Sequence, residues 1–238
     1  MTGAPSLNRL NRLNRSDELA ANLRAVRQRI ADAGGADLLP ITKFHPVADI
    51  KLLRAFGVGA VGENREQEAK QKHAELGGDP AIHMVGQIQT KKANSVARWA
   101  AAVHTVDSDK LLHALDRGAG LAIERGDREG ALPVLLQFSA DGDPDRGGAV
   151  AEDIDRLADA AAAAEHLELR GLMTVPPLGA NAAEVFATGR RLLDGIADRV
   201  LGAPVYSAGM SGDLETAIAE GSTLVRVGTD IMGPRPVI

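Results

Sequence analysis

Cysteine is absent from this sequence. Disulfides, thiolate nucleophiles and cysteine-based metal sites are excluded with it. Aromatic residues are almost as scarce, at 3% of 238 residues, so Ala, Leu, Val and Ile must pack the core. No apolar run approaches the roughly 20 residues of a membrane-spanning helix. Nor is there a basic block beyond a short Leu-Asn-Arg repeat at residues 7–15, and the net charge is −5. Nucleic acid, which is held by clustered cations, is therefore not an expected partner. The amino terminus lacks the continuous apolar segment of a signal peptide, so a cytoplasmic protein is expected.

What the sequence does contain is a regular alternation. Hydrophobic content is 45%, enough for a sizeable core. Residues 1–15 read as a flexible extension and 16–238 as one domain, with no Pro/Gly/Ser-rich linker to divide it. Ser16 is a suitable helix cap, and Leu19, Leu23, Val26 and Ile30 follow at helical spacing. Apolar strands are then predicted at 38–43, 59–64, 82–86, 103–106, 132–138 and 169–175, near 205, and at 224–229. Helical patterns separate them, among them 109–115 and 182–200. Continuous apolar strands between amphipathic helices indicate a parallel sheet covered by helices. Eight such units in a chain near the roughly 250 residues of a (β/α)8 barrel favour that closed α/β architecture, with one extra helix before the first strand.

The organising stretch is Ala203 to Asp213. A short strand breaks into small residues, Ser207, Ala208, Gly209, Ser211 and Gly212, before a predicted helix. Small residues let backbone N–H groups approach an anion closely. The next strand ends in Gly228 and Thr229. In barrels of this kind the loops after strands seven and eight frequently bind phosphate.

Lys43 ends the first strand and so faces the barrel mouth. Flanking apolar residues would desolvate its amine, and a neutral amine suits Schiff-base chemistry. A lysine merely reaching solvent is the competing reading. Arg226 lies inside the last strand, where a charge needs a partner. Glu63 is one candidate partner and a cofactor ring nitrogen another. Glu63 and Asn64 end the second strand, with Asn64 placed to meet a cofactor and Glu63 to orient Lys43 or Arg226. His83 is expected to be a packed histidine at the far end of its strand. The remaining histidines show no metal-ligand spacing, so no metal is expected. Gly57 to Gly62 matches G-x-G-x-x-G, but a helix precedes it and a strand is made from it, so the dinucleotide reading is rejected.

Six segments in order then resemble one family, the pyridoxal phosphate (PLP) homeostasis proteins, also called the YggS/PROSC family. They are Leu39 to Lys43, Gly62 to Glu68, Ile82 to Lys92, Leu169 to Val175, Ser207 to Asp213 and Gly221 to Thr229. The resemblance implies a single barrel like the N-terminal domain of alanine racemase. It implies PLP held as a Schiff base on Lys43, and phosphate held by Ser207, Gly209, Met210 and Ser211 with Gly228 and Thr229. It further implies Arg226 near the pyridine nitrogen and Asn64 facing the cofactor. Ala208 and Thr42 depart from the family's usual Met and Ser.

Three functions follow from these residues. The first is a PLP carrier or regulator, expected to act as a monomer and to serve PLP-dependent apoenzymes. The second is a PLP-dependent, racemase-like enzyme, for which a second acid–base group is wanting, since the single tyrosine, Tyr206, sits beside the phosphate loop. The third is a Schiff-base aldolase acting on a sugar phosphate without a bound cofactor.

Overall fold

The computed structural model describes residues 7–143 and 145–235. The elements run α1 (Leu7–Asp32), β1 (Asp37–Pro40), α2 (Val47–Ala55), β2 (Ala60–Glu63), α3 (Glu66–Leu76), β3 (Ala81–Met84), α4 (Ala93–Trp99) and β4 (Ala102–Val106). They continue with α5 (Asp109–Glu124), β5 (Leu132–Phe138), α6 (Ala151–Ala162), β6 (Leu167–Thr174), α7 (Ala182–Gly195), β7 (Val205–Ser207), α8 (Leu214–Ala219), β8 (Leu224–Val227) and α9 (Thr229–Met232). The eight strands form one sheet in the order β1-β8-β7-β6-β5-β4-β3-β2, and all pairings are parallel. A bridge between Ile41 and Gly62 joins β1 to β2, with the Thr42 N–H donating to the Gly62 carbonyl at 3.0 Å. The ring thus closes just beyond the ends of its first two strands, where the expected site lies. The expected barrel is the observed one.

The first helix departs from its predicted bounds. It begins at Leu7 rather than at Ser16, so Ser16 is interior. Residues 1–6 of the predicted extension lie outside the described residues. The predicted face holds: Leu19, Leu23, Val26 and Ile30 are all buried. The helix is also tied down by polar contacts. Arg15, the last residue of the Leu-Asn-Arg repeat, donates to Asp49 of α2 at 2.7 Å and to the Met232 carbonyl of α9 at 2.9 Å. Asn22 donates to the Ile231 carbonyl. Arg29 reaches Asp230 at 2.6 Å and the Ser211 carbonyl at 3.0 Å. Helix α1 therefore braces both turns of the predicted phosphate cradle from outside the barrel.

Other boundaries moved as well: β1 stops at Pro40, so Lys43 lies three residues past the strand it was expected to end, and α7 stops at Gly195 rather than at 200. Helix α5 runs to Glu124, past the predicted end at Leu115, and is entered through a Ser108 cap that accepts from the Leu111 N–H. Its glycines serve close packing, since a Cβ on Gly118 would lie 2.9 Å from the Asn94 Cα of α4. The last strand stops at Val227 instead of Thr229, because Gly228 opens the four-residue turn of helix α9.

If α1 is part of the fold, Leu23→Ala should cost roughly 2–5 kcal/mol, as for other buried leucines. Urea unfolding measures this. A loss below about 0.5 kcal/mol, the range of a surface substitution, would make α1 an appendage.

Candidate functional site

Arg226 is the most informative side chain. It is 5% exposed. Strand β8 is buried on both faces, and its period-two alternation sends Arg226 into the barrel while Val225 and Val227 pack outward against helices. One Nη donates to the Ser207 hydroxyl at 2.7 Å and the other to the Thr174 carbonyl at 3.1 Å. Both acceptors are neutral. Among the described residues no carboxylate lies within ion-pair distance of it. Burial pushes its pKa down to about 10, opposed by the more distant Asp213, so it remains a cation at neutral pH. The predicted partner Glu63 is elsewhere, bound to Lys72 and Thr42, and this corrects its expected contact with Arg226 or Lys43.

Behind Arg226 lies a chain of neutral groups. The Ser207 Oγ is 3.1 Å from Nδ1 of His104, whose Nε2 is 3.1 Å from Nδ1 of His83. Burial holds both imidazoles neutral, pushing His83 down to about 4 and His104 well below its usual value. One polarity satisfies both contacts of the chain and leaves only the outer His83 nitrogen without a partner among the described residues. Ser207 donates to His104 and His104 donates to His83, which leaves the Ser207 lone pairs to Arg226. His83 then offers its Nε2–H to a cavity of ≈ 300 Å³ at the amino-terminal end of the barrel, bordered by Asp37, Leu135, Arg170 and Thr223. His83 is half-buried at the far end of the barrel from the mouth, packed on His104 on one side and bordering that cavity on the other, in line with the expectation of a histidine away from the site. The role of the His104 contact was not foreseen.

Lys43 is half-buried at the mouth, just past Ile41. Its position relative to Arg226 follows from register, because Leu39 pairs with Arg226 and Pro40 with Val227. Gly228 and Thr229 follow Val227 at once, so the lysine and this turn share one side of the mouth. The adjoining loop continues β7. Gly209 has φ +90°, and a Cβ there would lie 2.6 Å from the Ala217 Cβ, so only glycine lets this loop lie flat on α8. Among the described residues, the N–H groups of Ser211, Gly228 and Thr229 have no acceptor. The Met210 N–H is occupied by Asp213 at 2.6 Å, and the Met210 side chain is exposed at the rim. The Ser207 hydroxyl faces inward and is committed to Arg226 and His104. Asn64 is half-buried at the end of β2, the strand beside β1, and borders a cavity of ≈ 230 Å³ with Gln87, Gln137, Arg146 and Met173. The structure thus gathers Lys43, Ser211, Arg226, Gly228 and Thr229 on the β1–β8–β7 side, with Asn64 next to Lys43 at the end of β2.

The residue that sequence reasoning missed is Lys72 of α3. It is buried, and its amine lies 2.7 Å from both Glu63 and Glu68. Its i,i+4 spacing from Glu68 was visible, but a pair of that kind is ordinarily a solvated surface contact.

Comparison with known proteins shows the family and the fold. The family model described as "Alanine racemase, N-terminal domain" matches residues 15–236. A pyridoxal phosphate homeostasis protein of Corynebacterium glutamicum is 56% identical over 205 residues, covering 86% of this chain and 92% of that protein. The structure of PipY from Synechococcus elongatus PCC7942 with PLP bound is 33% identical with a TM-score of 0.78, covering 90% of this chain and all of PipY. Alanine racemase from Corynebacterium glutamicum shares the fold at 21% identity and a TM-score of 0.69, and this chain spans 60% of it.

The buried imidazoles give a pH dependence. A histidine whose folded pKa lies below its unfolded value stabilises the fold above the unfolded pKa, and that stability is lost as pH falls through the folded pKa. For His83 the window runs from pH 6.5 down to about 4. Melting temperatures of the wild type should fall across it more steeply than those of His83→Gln. Parallel curves would show that His83 does not carry the effect.

Proposed function

The chain belongs to the family of pyridoxal phosphate homeostasis proteins, and from that membership we propose that it binds PLP and takes part in its homeostasis as a carrier or regulator. The observation that carries this reading is the buried Arg226 cation with only neutral partners. Leaving a buried cation without a counter-charge is expensive, so such a site is built for an electron-rich group that arrives from outside.

The residues at the mouth fit the cofactor. Lys43 supplies the amine for covalent attachment to its aldehyde. The unpaired N–H groups of Ser211, Gly228 and Thr229 suit its phosphate, in the manner of backbone anion cradles. Arg226 suits the pyridine nitrogen. Ser207 contributes through Arg226, which its hydroxyl orients, and Gly209 through the path of the loop. Met210 shapes the rim, and Asn64 lines the mouth beside Lys43. Bound PLP supplies an electrophilic aldehyde and an electron-withdrawing ring. An arginine facing the ring nitrogen keeps that nitrogen unprotonated, because a guanidinium does not readily release its proton. The electron withdrawal is then weaker than with a carboxylate partner. Storage and delivery tolerate that weakening better than carbanion chemistry does.

A racemase-like reaction needs a second acid–base group. Tyr206 is unsuited to it: it is fully buried, its hydroxyl donates to the Phe186 carbonyl at 2.8 Å, and burial pushes its pKa up to about 12. The carrier reading extends to PLP-dependent apoenzymes as recipients, to a monomeric state and to a cytoplasmic setting. Among the described residues no helix is long and apolar enough to cross a membrane.

Absorbance spectroscopy tests the reading. Wild-type protein mixed with PLP should develop a visible band, and borohydride should bleach that band and leave PLP on the Lys43 peptide. Lys43→Ala should lack the band. Arg226→Met should weaken PLP binding about ten- to a hundredfold, the worth of one or two charge-assisted hydrogen bonds. Loaded protein should restore activity to a PLP-free apoenzyme and should not exchange the α-proton of added amino acids in D2O. A protein that takes up no PLP refutes the proposal, and rapid α-proton exchange favours the racemase-like alternative.

A further inference from the structure

Lys43 sits between two backbone atoms that are gripped by the same helix. On its amino side, the Thr42 carbonyl accepts from the Lys72 amine at 2.8 Å and also from the His45 N–H. On its carboxyl side, the Phe44 N–H donates to Glu68 at 2.6 Å. Lys72 and Glu68 are one turn apart on α3 and bind each other at 2.7 Å. The grip extends to β2, where one Glu63 oxygen accepts from Lys72 at 2.7 Å and from the Thr42 hydroxyl at 2.6 Å. All three donors of the Lys72 ammonium are therefore used, and none is left for a ligand.

The grip has something to hold. Phe44 has φ +70°, the only non-glycine positive φ among the described residues. For an aromatic residue this left-handed conformation is strained. The surroundings must therefore enforce it. The Phe44 ring is flanked by the guanidinium of Arg235 at 3.6 Å and of Arg65 at 5.1 Å, which fixes the side chain. The backbone is fixed by Glu68. Without that acceptor, Phe44 would relax to a negative φ. The Lys43–Phe44 peptide would rotate, and the rim that presents the Lys43 amine would move with it.

We infer that Lys72 is a positioning residue for Lys43: with Glu68 and Glu63 it clamps the Thr42–Phe44 turn in a strained conformation that aims the Lys43 amine into the barrel mouth. The inference rests on the reading that Lys43 holds PLP. It assigns Lys72 no contact with the cofactor. It also explains a buried lysine that the chemistry of the mouth does not use.

The strain supplies its own test. Glycine adopts positive φ freely, so Phe44→Gly should make the clamp dispensable. The rate of PLP uptake by cofactor-free protein, followed by absorbance and by borohydride trapping on the Lys43 peptide, reads the positioning. Thermal melting reads the fold. Lys72→Met should load PLP about ten- to a hundredfold more slowly, the size of effect that a misplaced reacting group produces. Lys72→Met with Phe44→Gly should recover most of the rate while its melting temperature stays low. Glu68→Ala removes the Phe44 anchor and leaves the Glu63–Lys72 pair, so it provides the same comparison should Lys72→Met fail to fold. Folded single variants that load at the wild-type rate overturn the clamp, as do double variants that stay slow. A wild type that takes up no PLP overturns the reading of Lys43 itself, and the clamp with it.

Discussion

The guanidinium of Arg226 is a positive charge held inside a barrel where, among the described residues, no carboxylate lies within ion-pair distance of it. The rest of the site is arranged around that imbalance. Strand β8 could accept the residue only because the neighbouring strands supply neutral acceptors, the Ser207 hydroxyl from β7 and the Thr174 carbonyl from β6. The Ser207 hydroxyl is in turn kept as an acceptor by His104, and His104 by His83. Had any of these groups been an aspartate, the charge would have been neutralised within the protein. The site would then have had less to gain from an incoming electron-rich ring.

Lys72 is the opposite case, a buried ammonium with two carboxylates and a carbonyl around it. Its charge is used up internally, so its effect is mechanical. The contrast shows how two buried cations in one small protein come to do different work. The number of anionic partners, more than burial, decides whether a buried charge recruits a ligand or fixes a backbone. Glu63 follows the same logic. It is fully buried, burial raises its pKa against the pull of Lys72, and its Oε2 has no partner among the described residues. Such a carboxylate belongs to the framework beneath the lysine turn and does not face the mouth.

Much of this was legible in the sequence because it depends on local rules. The alternation of apolar strands and helices gave the barrel. The small residues from Ser207 to Gly212 and the Gly228–Thr229 ending marked the loops now proposed to hold phosphate. Lys43 was visible because a lysine at a strand end is chemically conspicuous. What was not legible depends on which side chains meet across the barrel. His83 and His104 stand 21 residues apart, and His104 and Ser207 stand 103 apart. No spacing rule connects them. The pairing of Glu63 with Lys72 was hidden because α3 reads as a polar surface helix. Its one inward-facing lysine is indistinguishable by composition from its exposed neighbours Lys70 and Gln71. The start of α1 was misread because Ser16 looks like a cap. In the preceding turns Leu7, Leu10 and Leu13 recur every third residue, a period that drifts away from the 3.6-residue stripe of Leu19, Leu23, Val26 and Ile30 and so does not read as its continuation.

The first helix also bears on why the cradle can be so lightly built. Helix α8 has six residues and α9 only four, too few to be stable alone. Their turns carry the N–H groups assigned to phosphate. Yet α1 contacts both: Arg29 reaches the Ser211 carbonyl and Asp230, while Asn22 and Arg15 hold the carbonyls of Ile231 and Met232. A long helix packed through Leu19, Leu23, Val26 and Ile30 lends rigidity to two short ones that could not supply it themselves. Stability at the cradle is thereby imported from outside the barrel. The loop backbone stays free to present its N–H groups, and no side chain needs to fill the space a phosphate would take. On this argument the helix that precedes the eight-fold repeat is as much a part of the binding site as the strands are.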